Sequence, residues 1–526
     1  MIPPGSHRLV KVVALLLGPL GALSTDQARG AAQPAACFGA HMVLQRDVAL
    51  PVWGTAEPGE EVVVVFGDAR ADTVADAAGR WRVTLPPRGA SSEPRQLVIR
   101  GSNEVRLDDV LVGEVWLCAG QSNMLMPLVK ADHAAREIAE ADRPGLRLLA
   151  LRTAAGGDPP PYTPAQVRDL EPGRFCTGQW EACTPGTARH FSAIGYFFGA
   201  AIADALDVPV GIVCVAVGGS PTEAWVRRAA LAADPALAPL VAGDWTKNPA
   251  LAGWCAERAA RNLARAATAG ESIPGDDVGP NHPFKPGFLW DSCVAPLVPF
   301  AIRGVAWYQG ESNAESPARV AQHTILLRSL VADWRHEWTS DAMPFAVVQL
   351  PGMDRPDWPA FRETQRLALA GLASAGLVVT IDLGRKDDVH PPDKRPIGER
   401  IARWAIAETS KRGLDVAVGP TPVDAESRPD GTVAVRFMHA GAALAASDGK
   451  AIRHFEVAGA DGVFHAVAAR IEGDAVLVTP PAGGKVARVR YAWMPFPVPP
   501  VNLVNSAGLP ATPFVVEVKG TAAVRR

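Results

Sequence analysis

The sequence predicts an α/β protein, with a parallel sheet covered by helices on both faces and a β domain at each end of the chain. Between about 112 and 411, short buried apolar runs alternate with longer helical patterns, which is typical of such sheets. On either side, short runs with the period of strands are separated by turns. At 526 residues the chain is too long for one ordinary core. We therefore expect folded regions at 37–111, 112–411 and 412–526.

The elements of the middle region can be placed one by one. Two patterns predict long helices, at 192–206 and 318–338. Two stretches rich in Pro and Gly, 152–185 and 236–290, are expected to be loops over the sheet. Six apolar runs predict strands: 112–119, 146–151, 208–217, 302–309, 344–350 and 376–383.

The first 36 residues are expected to be a signal peptide and leader. Arg8 and Lys11 precede the apolar run 12–23, which is followed by small and polar residues. We expect cleavage between roughly residues 24 and 36. No stretch reaches the roughly 18 apolar residues that a membrane span needs. The sequence therefore predicts an exported protein, periplasmic or secreted, without a membrane span.

Composition narrows the possible partners. Apolar residues make up 48% and charged residues 20%, as in globular proteins, and the net charge is −3. There is no basic surplus to bind a phosphate backbone, so nucleic acid is not an expected partner. The sequence carries no signal for an oligomeric state.

Seven cysteines are present, and none has the spacing of a zinc site. An Asp-rich calcium loop is also missing from the sequence, so no metal or other cofactor is expected. Cys176 and Cys183 bracket a short segment. They either close a disulfide in an oxidising compartment or remain buried thiols, and the sequence leaves both alternatives open.

Four polar clusters follow predicted strands directly. In an open parallel sheet, ligands bind outside the carboxyl ends of the strands, so these clusters are expected to form one site. They are Gly120-Gln121-Ser122-Asn123, "VGGSPTEAW" (217–225), "YQGESNA" (308–314) and "RKDDVHPPDK" (385–394).

The clusters contain the groups that a serine esterase needs. Ser122 ends the first strand of the middle region and is a potential nucleophile. His390 is a potential general base near neutral pH. Asp387, three residues before it, and Asp388, two before it, are each able to orient the imidazole and stabilise its charged form.

Three hydrogen-bond donors are available for an oxyanion. The backbone N–H of Ser122 would lie at the positive end of a helix that begins there. The Gly218-Gly219 turn offers another N–H, and Asn313 offers its side-chain amide. Donors aimed at one point form an oxyanion hole, often the largest contribution to acyl-transfer catalysis.

Each residue also has an ordinary interpretation. Ser122 alone is typical of a helix N-cap, and His390 alone is typical of a packed loop. The coincidence of four polar clusters at strand ends of one sheet favours a catalytic site instead. An α/β-hydrolase elbow is rejected, because it needs G-x-S-x-G and this chain has Gly120-Gln121-Ser122-Asn123-Met124.

Three blocks resemble the signature segments of the sialate O-acetylesterase family of SGNH (GDSL-like) hydrolases. They are "GEVWLCAGQSNM" (113–124), "GVAWYQGESNA" (304–314) and "DDVHPPDKRPIGERIA" (387–402). "MVLQR" (42–46) and "NLVNSAGLPATPF" (502–514) extend the resemblance over nearly the whole mature chain. It implies a flavodoxin-like catalytic domain that removes acetyl groups from sugars without a metal.

The resemblance implies roles for individual residues. Ser122 matches the nucleophile and His390 the base. The D-x-x-H spacing of SGNH hydrolases implies Asp387, whereas the "DIHP"-type run of many members implies Asp388. Ser122, Gly218 or Gly219, and Asn313 match the oxyanion donors. The residues expected to support the site or the substrate are Gln121, Asn123, Gln309, Glu311 and Asp291.

One block departs from the family pattern. Many members have "LYNGMIAPL" where this chain has "LWDSCVAPL" (289–297). Asp291 thus replaces an amide, and Ser292 a glycine, near the expected mouth of the substrate site. Both changes bear on which sugar is bound.

The function expected from these observations is that of a carbohydrate O-acetylesterase. An Ala- and Arg-rich composition with a leader is typical of bacteria with GC-rich DNA, which favours plant glycans such as xyloglucan or xylan over acetylated sialic acid. A non-catalytic sugar-binding protein is the alternative from another class. Such a protein is expected to have lost at least one of Ser122, Asn313 and His390, and all three are present. A lipase or thioesterase would want a long apolar acyl channel.

Overall fold

The computed structural model describes residues 31–157, 160–410, 416–481 and 485–519. Most of the predicted leader, and the predicted boundary at 411/412, lie outside these residues. Within them the chain forms a central α/β sheet, a set of N-terminal strands and a C-terminal β sheet. The prediction of an α/β protein with additional β regions is confirmed. None of the described helices is both long enough and apolar enough to cross a bilayer.

Six strands of the central sheet pair in parallel, with one antiparallel strand at an edge. The carboxyl ends of the parallel strands therefore meet at one rim. All six predicted strands are present. Five of them are shorter than predicted or are shifted along the chain. The order across the sheet is Trp180–Cys183, Arg143–Ala150, Val210–Ala216, Glu104–Gly120, Gly304–Tyr308, Phe345–Val348 and Ala375–Val378.

The strand order places a crevice at the rim. Apart from Arg143–Ala150 and the antiparallel edge strand, the five remaining strands have the order 2-1-3-4-5 in chain numbering. The chain thus leaves Glu104–Gly120 toward one side of the sheet, and Gly304–Tyr308 continues on the other. Ligands bind at such switch points in open α/β sheets. Ser122 follows the strand at this point.

Helices cover both faces of the sheet, as predicted. Leu117 belongs to one hydrophobic core together with the helix Pro317–Glu337. The next residue, Cys118, belongs to a second core with the helices Ala193–Leu206 and Arg395–Thr409. Successive side chains of a strand point to opposite faces, so an uninterrupted apolar run is what a sheet buried on both faces requires.

Four further helices of six or more residues among the described residues were not singled out in the sequence. The helix Gly253–Ala269 lies in the segment 236–290, which we expected to be loop. Its buried residues, from Cys255 to Ala266, share one face, while its Arg residues and the Pro/Gly-rich flanks mask that pattern in the sequence. The remaining ones are Ala134–Ala139, Arg228–Ala233 and Trp358–Leu369.

The strand Glu104–Gly120 is longer than predicted. Its first half pairs antiparallel with Ser91–Arg100, and exposed and half-buried residues alternate there. Its second half, from Glu114, pairs with Val210–Ala216 and is buried on both faces. The polar alternation hides the first half from a search for apolar runs. The predicted boundary at 111/112 therefore falls inside one continuous strand.

The N-terminal strands form two layers. One layer is antiparallel and contains Gln33–Pro34, Leu50–Thr55 and Arg80–Leu85. The other joins the central sheet through Glu104–Gly120 and contains Val43–Gln45, Glu61–Phe66, Ala69–Val74 and Ser91–Arg100.

The C-terminal sheet packs against the central region. Arg362, on the helix Trp358–Leu369, is fully buried and donates to the carbonyl oxygens of Pro351 and Pro495. The sheet order is Phe464–Ala466, Phe455–Ala458, Arg488–Tyr491, Phe514–Lys519, Thr421–Ser427, Val433–Met438, Ala475–Thr479 and Ala468–Glu472.

Gly120 is required where the chain leaves the sheet. Its φ is +142°, and a Cβ there would lie 2.0 Å from the carbonyl oxygen of Tyr308 on the neighbouring strand. We expect Gly120→Ala to lower the free energy of unfolding by roughly 2–5 kcal/mol, through backbone strain and overpacking. Urea denaturation measures this. The control is Gly89→Ala, where a Cβ meets nothing within 4 Å and a change under about 0.5 kcal/mol is expected. Equal effects of the two substitutions would contradict the assignment.

Candidate active site

Backbone and side-chain hydrogen bonds join the first three polar clusters at the rim. The N–H of Gln121 donates to the carbonyl of Tyr308 at 3.0 Å, and the N–H of Val217 donates to the carbonyl of Gly120 at 3.0 Å. The hydroxyl of Ser312 donates to the carbonyl of Gly219 at 3.0 Å. The strand ends therefore hold these segments side by side.

Ser122 and His390 meet across the rim although they are 268 positions apart. The Oγ of Ser122 lies 2.7 Å from the Nε2 of His390, and both residues are half-buried. Ser122 begins the helix Ser122–Leu125, with Gln121 as its N-cap residue. The expected helix is thus a single turn, so its dipole adds little to the stabilisation of an anion.

The two aspartates lie on the exposed loop that carries His390. The Oδ1 of Asp388 accepts a hydrogen bond from the backbone N–H of His390 at 2.8 Å. This contact fixes the backbone next to the imidazole. Asp387 is exposed. The assignment of either carboxylate to the imidazole stays a prediction.

The backbone N–H groups of three candidate oxyanion residues have no acceptor among the residues that the structure describes. These residues are Ser122, Gly218 and Gly219. Both glycines are half-exposed, and Gly219 has a φ of +72°, a conformation that glycine adopts without strain. A ligand oxygen could therefore accept from these N–H groups without displacing an acceptor of the described residues.

Asn313 is buried, at 1% exposure, and its carboxamide is held on both sides. The Oδ1 accepts from the backbone N–H of Thr222 at 3.0 Å and from the Nε2 of Gln309 at 2.8 Å. The Nδ2 donates to the Oε2 of Glu223 at 3.0 Å. Its second hydrogen has no acceptor among the described residues, so one N–H remains for another partner.

The side chain of Asn123 links three segments behind Ser122. Its Nδ2 donates to the carbonyl of Val389 at 2.9 Å, next to His390, and to Oε1 of Glu311 at 2.5 Å. Its Oδ1 accepts from Nζ of Lys394 at 2.5 Å. Asn123 is fully buried, and Lys394 is 1% exposed. The amide of Asn123 therefore holds the segment of the nucleophile Ser122 against the loop of the base His390.

The groups on either side of Asn123 have shifted acidities. Burial lowers the pKa of Lys394 from 10.5 to about 7. Burial also raises the pKa of the Glu311 carboxyl, although the hydrogen bond from Asn123 opposes that change. A charged form of either group is costly in a buried site, and the Asn123 amide partly compensates both.

Gln309 and Gln121, which were also predicted to support the site, are both buried. Gln309 is fully buried, and its Nε2 also donates to the carbonyl of Ser220 at 3.1 Å. The Oε1 of Gln121 accepts from the N–H of Ser312 at 3.4 Å. Both residues are buried and brace the rim from within through these hydrogen bonds.

Asp291 lies in the short helical segment Trp290–Val294. It lines a cavity of about 210 Å³ together with Arg228, Asp276 and Lys285, and the lining contains neither Ser122 nor His390. Partial desolvation by the surrounding protein raises the pKa of its carboxyl. The expected role of Asp291 toward the substrate stays a prediction.

The cysteines and other potential metal ligands are dispersed. Cys176 and Cys183 are free thiols. Cys183 donates to the carbonyl of Ala141 at 3.3 Å, and Cys176 lies within hydrogen-bonding reach of Cys293. Within the described ranges, no three His, Cys, Asp or Glu side chains are grouped so that they could hold a metal ion.

Two buried charged residues of the site were missed from the sequence. Lys394 stands four residues after His390 in a block that we singled out, and Glu223 stands in "VGGSPTEAW". Neither residue receives a role from the sequence alone, because charged side chains are normally exposed. The one signal in the sequence for Lys394 and Glu223 is that both lie within polar clusters that follow predicted strands.

Comparisons with known proteins identify the family that this chain resembles. Residues 281–407 match the model of the family described as carbohydrate esterase, sialic acid-specific acetylesterase. The human sialate O-acetylesterase is 27% identical over 405 residues, covering 70% of this chain and 69% of that protein. The mouse protein is 25% identical over 527 residues, covering 91% and 93%. A crystal structure of a carbohydrate acetylesterase from Xanthomonas citri is 32% identical, covers 92% of this chain and 99% of its own, and has a TM-score of 0.75.

The fold and these relatives define a class, the carboxylic ester hydrolases. Within that class, the chain belongs to the sialate O-acetylesterase family of carbohydrate esterases. The family expected from the three sequence blocks is therefore confirmed.

The buried Lys394 predicts a pH-dependent stability. Because its pKa is lower in the folded chain, at about 7, than the ordinary 10.5, the unfolded chain binds more protons between these values. The free energy of unfolding should then rise between pH 7 and pH 9, by up to roughly 1.4 kcal/mol per pH unit. We expect Lys394→Met to remove this rise in urea denaturation at pH 7, 8 and 9. The exposed Lys450→Met is the control and should keep it. A rise that survives in Lys394→Met would refute the assignment.

Proposed function

We propose that this chain removes acetyl groups from sugar hydroxyls of acetylated oligo- and polysaccharides through an acetyl-enzyme on Ser122. The observation that carries the proposal is the 2.7 Å contact between Oγ of Ser122 and Nε2 of His390. That is the distance at which a general base takes a proton from a nucleophile. A sugar-binding protein has no use for this pair, which favours catalysis over binding alone.

The reaction begins when His390 accepts the hydroxyl proton and Ser122 attacks the acetyl carbonyl carbon. The carbonyl π electrons move onto oxygen, where the N–H groups of Ser122, Gly218 or Gly219, and Asn313 stabilise the charge. The intermediate collapses, and His390 returns its proton to the departing sugar oxygen. Water, deprotonated by His390, then attacks the acetyl carbonyl; the bond to Oγ of Ser122 breaks, His390 returns the proton to Oγ, and acetate leaves.

A carboxylate supports the imidazolium in this scheme. The Oδ1 of Asp388 already holds the backbone of His390, and Asp387 has the D-x-x-H spacing. We assign the acid role to one of these two residues. The 2-1-3-4-5 strand order and a nucleophile after the first strand support an SGNH-type catalytic sheet.

Plant cell-wall glycans such as xyloglucan or xylan are the proposed substrates. The relative from Xanthomonas citri is a carbohydrate acetylesterase, at 32% identity, and the Ala- and Arg-rich composition and leader pattern favour an exported bacterial enzyme. The alternative substrate is O-acetylated sialic acid, as the names of the mammalian relatives state.

Ser122→Ala tests the mechanism. We expect kcat for p-nitrophenyl acetate to fall by roughly 10⁴-fold or more, because the acetyl acceptor is gone. The control is Ser447→Ala, a residue exposed in the C-terminal β region, with expected wild-type kcat. Intact-mass measurement after a short exposure to substrate should show an added acetyl group in the wild type only. Full activity of Ser122→Ala would rule the mechanism out.

The acyl and sugar preferences test the substrate class. We expect acetate to be preferred over butyrate and octanoate among p-nitrophenyl esters, since a sugar acetylesterase has no need of a long acyl channel. Acetate release should be faster from acetylated xyloglucan or xylan than from O-acetylated sialic acid. A preference for octanoate would indicate a lipase. Faster release from sialic acid would leave the esterase but replace its substrate.

A further inference from the structure

The carboxamide of Asn313 works as an oxyanion donor only in one orientation. Its NH₂ end attracts a developing negative charge, whereas its carbonyl end repels it. The two ends have nearly the same shape, so packing alone discriminates poorly between them. Some contact must therefore choose the orientation.

Donors surround the oxygen end of Asn313. The backbone N–H of Thr222 lies 3.0 Å and the Nε2 of Gln309 2.8 Å from Oδ1. The hydroxyl of Thr222 donates to the Oε1 of Gln309, which turns the NH₂ of Gln309 toward Asn313. The orientation of Gln309 is thus itself fixed by a neighbour.

A carboxylate meets the nitrogen end. The Oε2 of Glu223 accepts from the Nδ2 of Asn313 at 3.0 Å, and the residue is 1% exposed. An ionised carboxylate can only accept hydrogen bonds, so it tolerates the NH₂ end and rejects the carbonyl end. Its other oxygen accepts from the guanidinium of Arg319, which is 8% exposed.

We propose that Glu223 is a positioning residue that fixes the orientation of the Asn313 carboxamide, and thereby the oxyanion donor of the esterase reaction. The inference rests on the proposed function, in which Asn313 stabilises the oxyanion. Arg319 holds Glu223 in place through an ion pair, and no hydrogen bond joins Arg319 to Asn313 among the described residues. The pair therefore has two separable effects, on stability through the ion pair and on turnover through the amide.

Glu223→Gln distinguishes these effects because of Arg319. The guanidinium demands an acceptor, so the oxygen of the introduced amide would face Arg319 and its NH₂ would face the NH₂ of Asn313. Two donors then oppose each other, and Asn313 must turn or shift. In Glu223→Gln/Arg319→Met, the introduced amide is free to present its oxygen to Asn313 again.

The experiment measures kcat and KM for p-nitrophenyl acetate in Glu223→Gln, Arg319→Met, their double variant, Asn313→Ala and Glu223→Gln/Asn313→Ala, with circular dichroism melting of each. We expect Glu223→Gln to lower kcat by about 30- to 300-fold with KM changed less than about threefold, comparable to losing one oxyanion donor. Arg319→Met should lower kcat by about threefold or less, although both variants melt earlier.

Two further comparisons report on the mechanism of the effect. The Glu223→Gln/Arg319→Met variant should recover most of the kcat lost in Glu223→Gln, and it is the variant to rely on if Glu223→Gln does not fold. Glu223→Gln/Asn313→Ala should be no slower than Asn313→Ala, since Glu223 acts through Asn313.

Several results would overturn the proposal. Wild-type kcat in Glu223→Gln, with Asn313→Ala slow, would leave the esterase mechanism standing and remove the role of Glu223. Equal losses of kcat in Arg319→Met and Glu223→Gln would show that only the ion pair matters. The same conclusion would follow if Glu223→Gln/Arg319→Met were as slow as Asn313→Ala. Full kcat in Asn313→Ala would remove Asn313 from the oxyanion hole and with it the role of Glu223.

Discussion

The active-site rim depends on one buried amide, the side chain of Asn123. It accepts from Lys394 and donates to Glu311 and to the carbonyl of Val389. Because Asn123 adjoins Ser122, and Val389 adjoins His390, one side chain sets the separation of two loops that are far apart in sequence. A hydrogen bond of 2.7 Å between nucleophile and base tolerates little displacement, so this clamp is a condition for the chemistry.

Behind the rim lie two buried networks of charge. One pairs Glu311 with Lys394 through Asn123, and the other pairs Glu223 with Arg319 beneath Asn313. Burying ions rarely adds net stability, because the desolvation cost offsets the attraction. Such networks are better understood as contacts that fix the orientation of neighbouring side chains. Each of them ends on an asparagine of the site, where direction decides whether a hydrogen bond forms.

The sequence revealed those features that leave a local signature. Buried strands on both faces are continuous apolar runs, and strand ends followed by Ser122 or His390 stand out in that pattern. The first half of Glu104–Gly120 and the helix Gly253–Ala269 did not stand out, since their patterns are polar or interrupted. The roles of Lys394 and Glu223 become apparent only when the structure shows that both side chains are buried. Which aspartate serves His390 depends on loop geometry that spacing does not determine.

The strand Glu104–Gly120 joins the N-terminal strands to the nucleophile without a break. Its first half pairs with Ser91–Arg100 and its last residue directly precedes the Gln121-Ser122 turn. The N-terminal region is therefore not an interchangeable module that evolution or an engineer can remove by cutting a linker. A fragment that starts at residue 112 would expose the edges that this strand shares with both sheets. The folding of the two regions is thereby tied to one continuous strand.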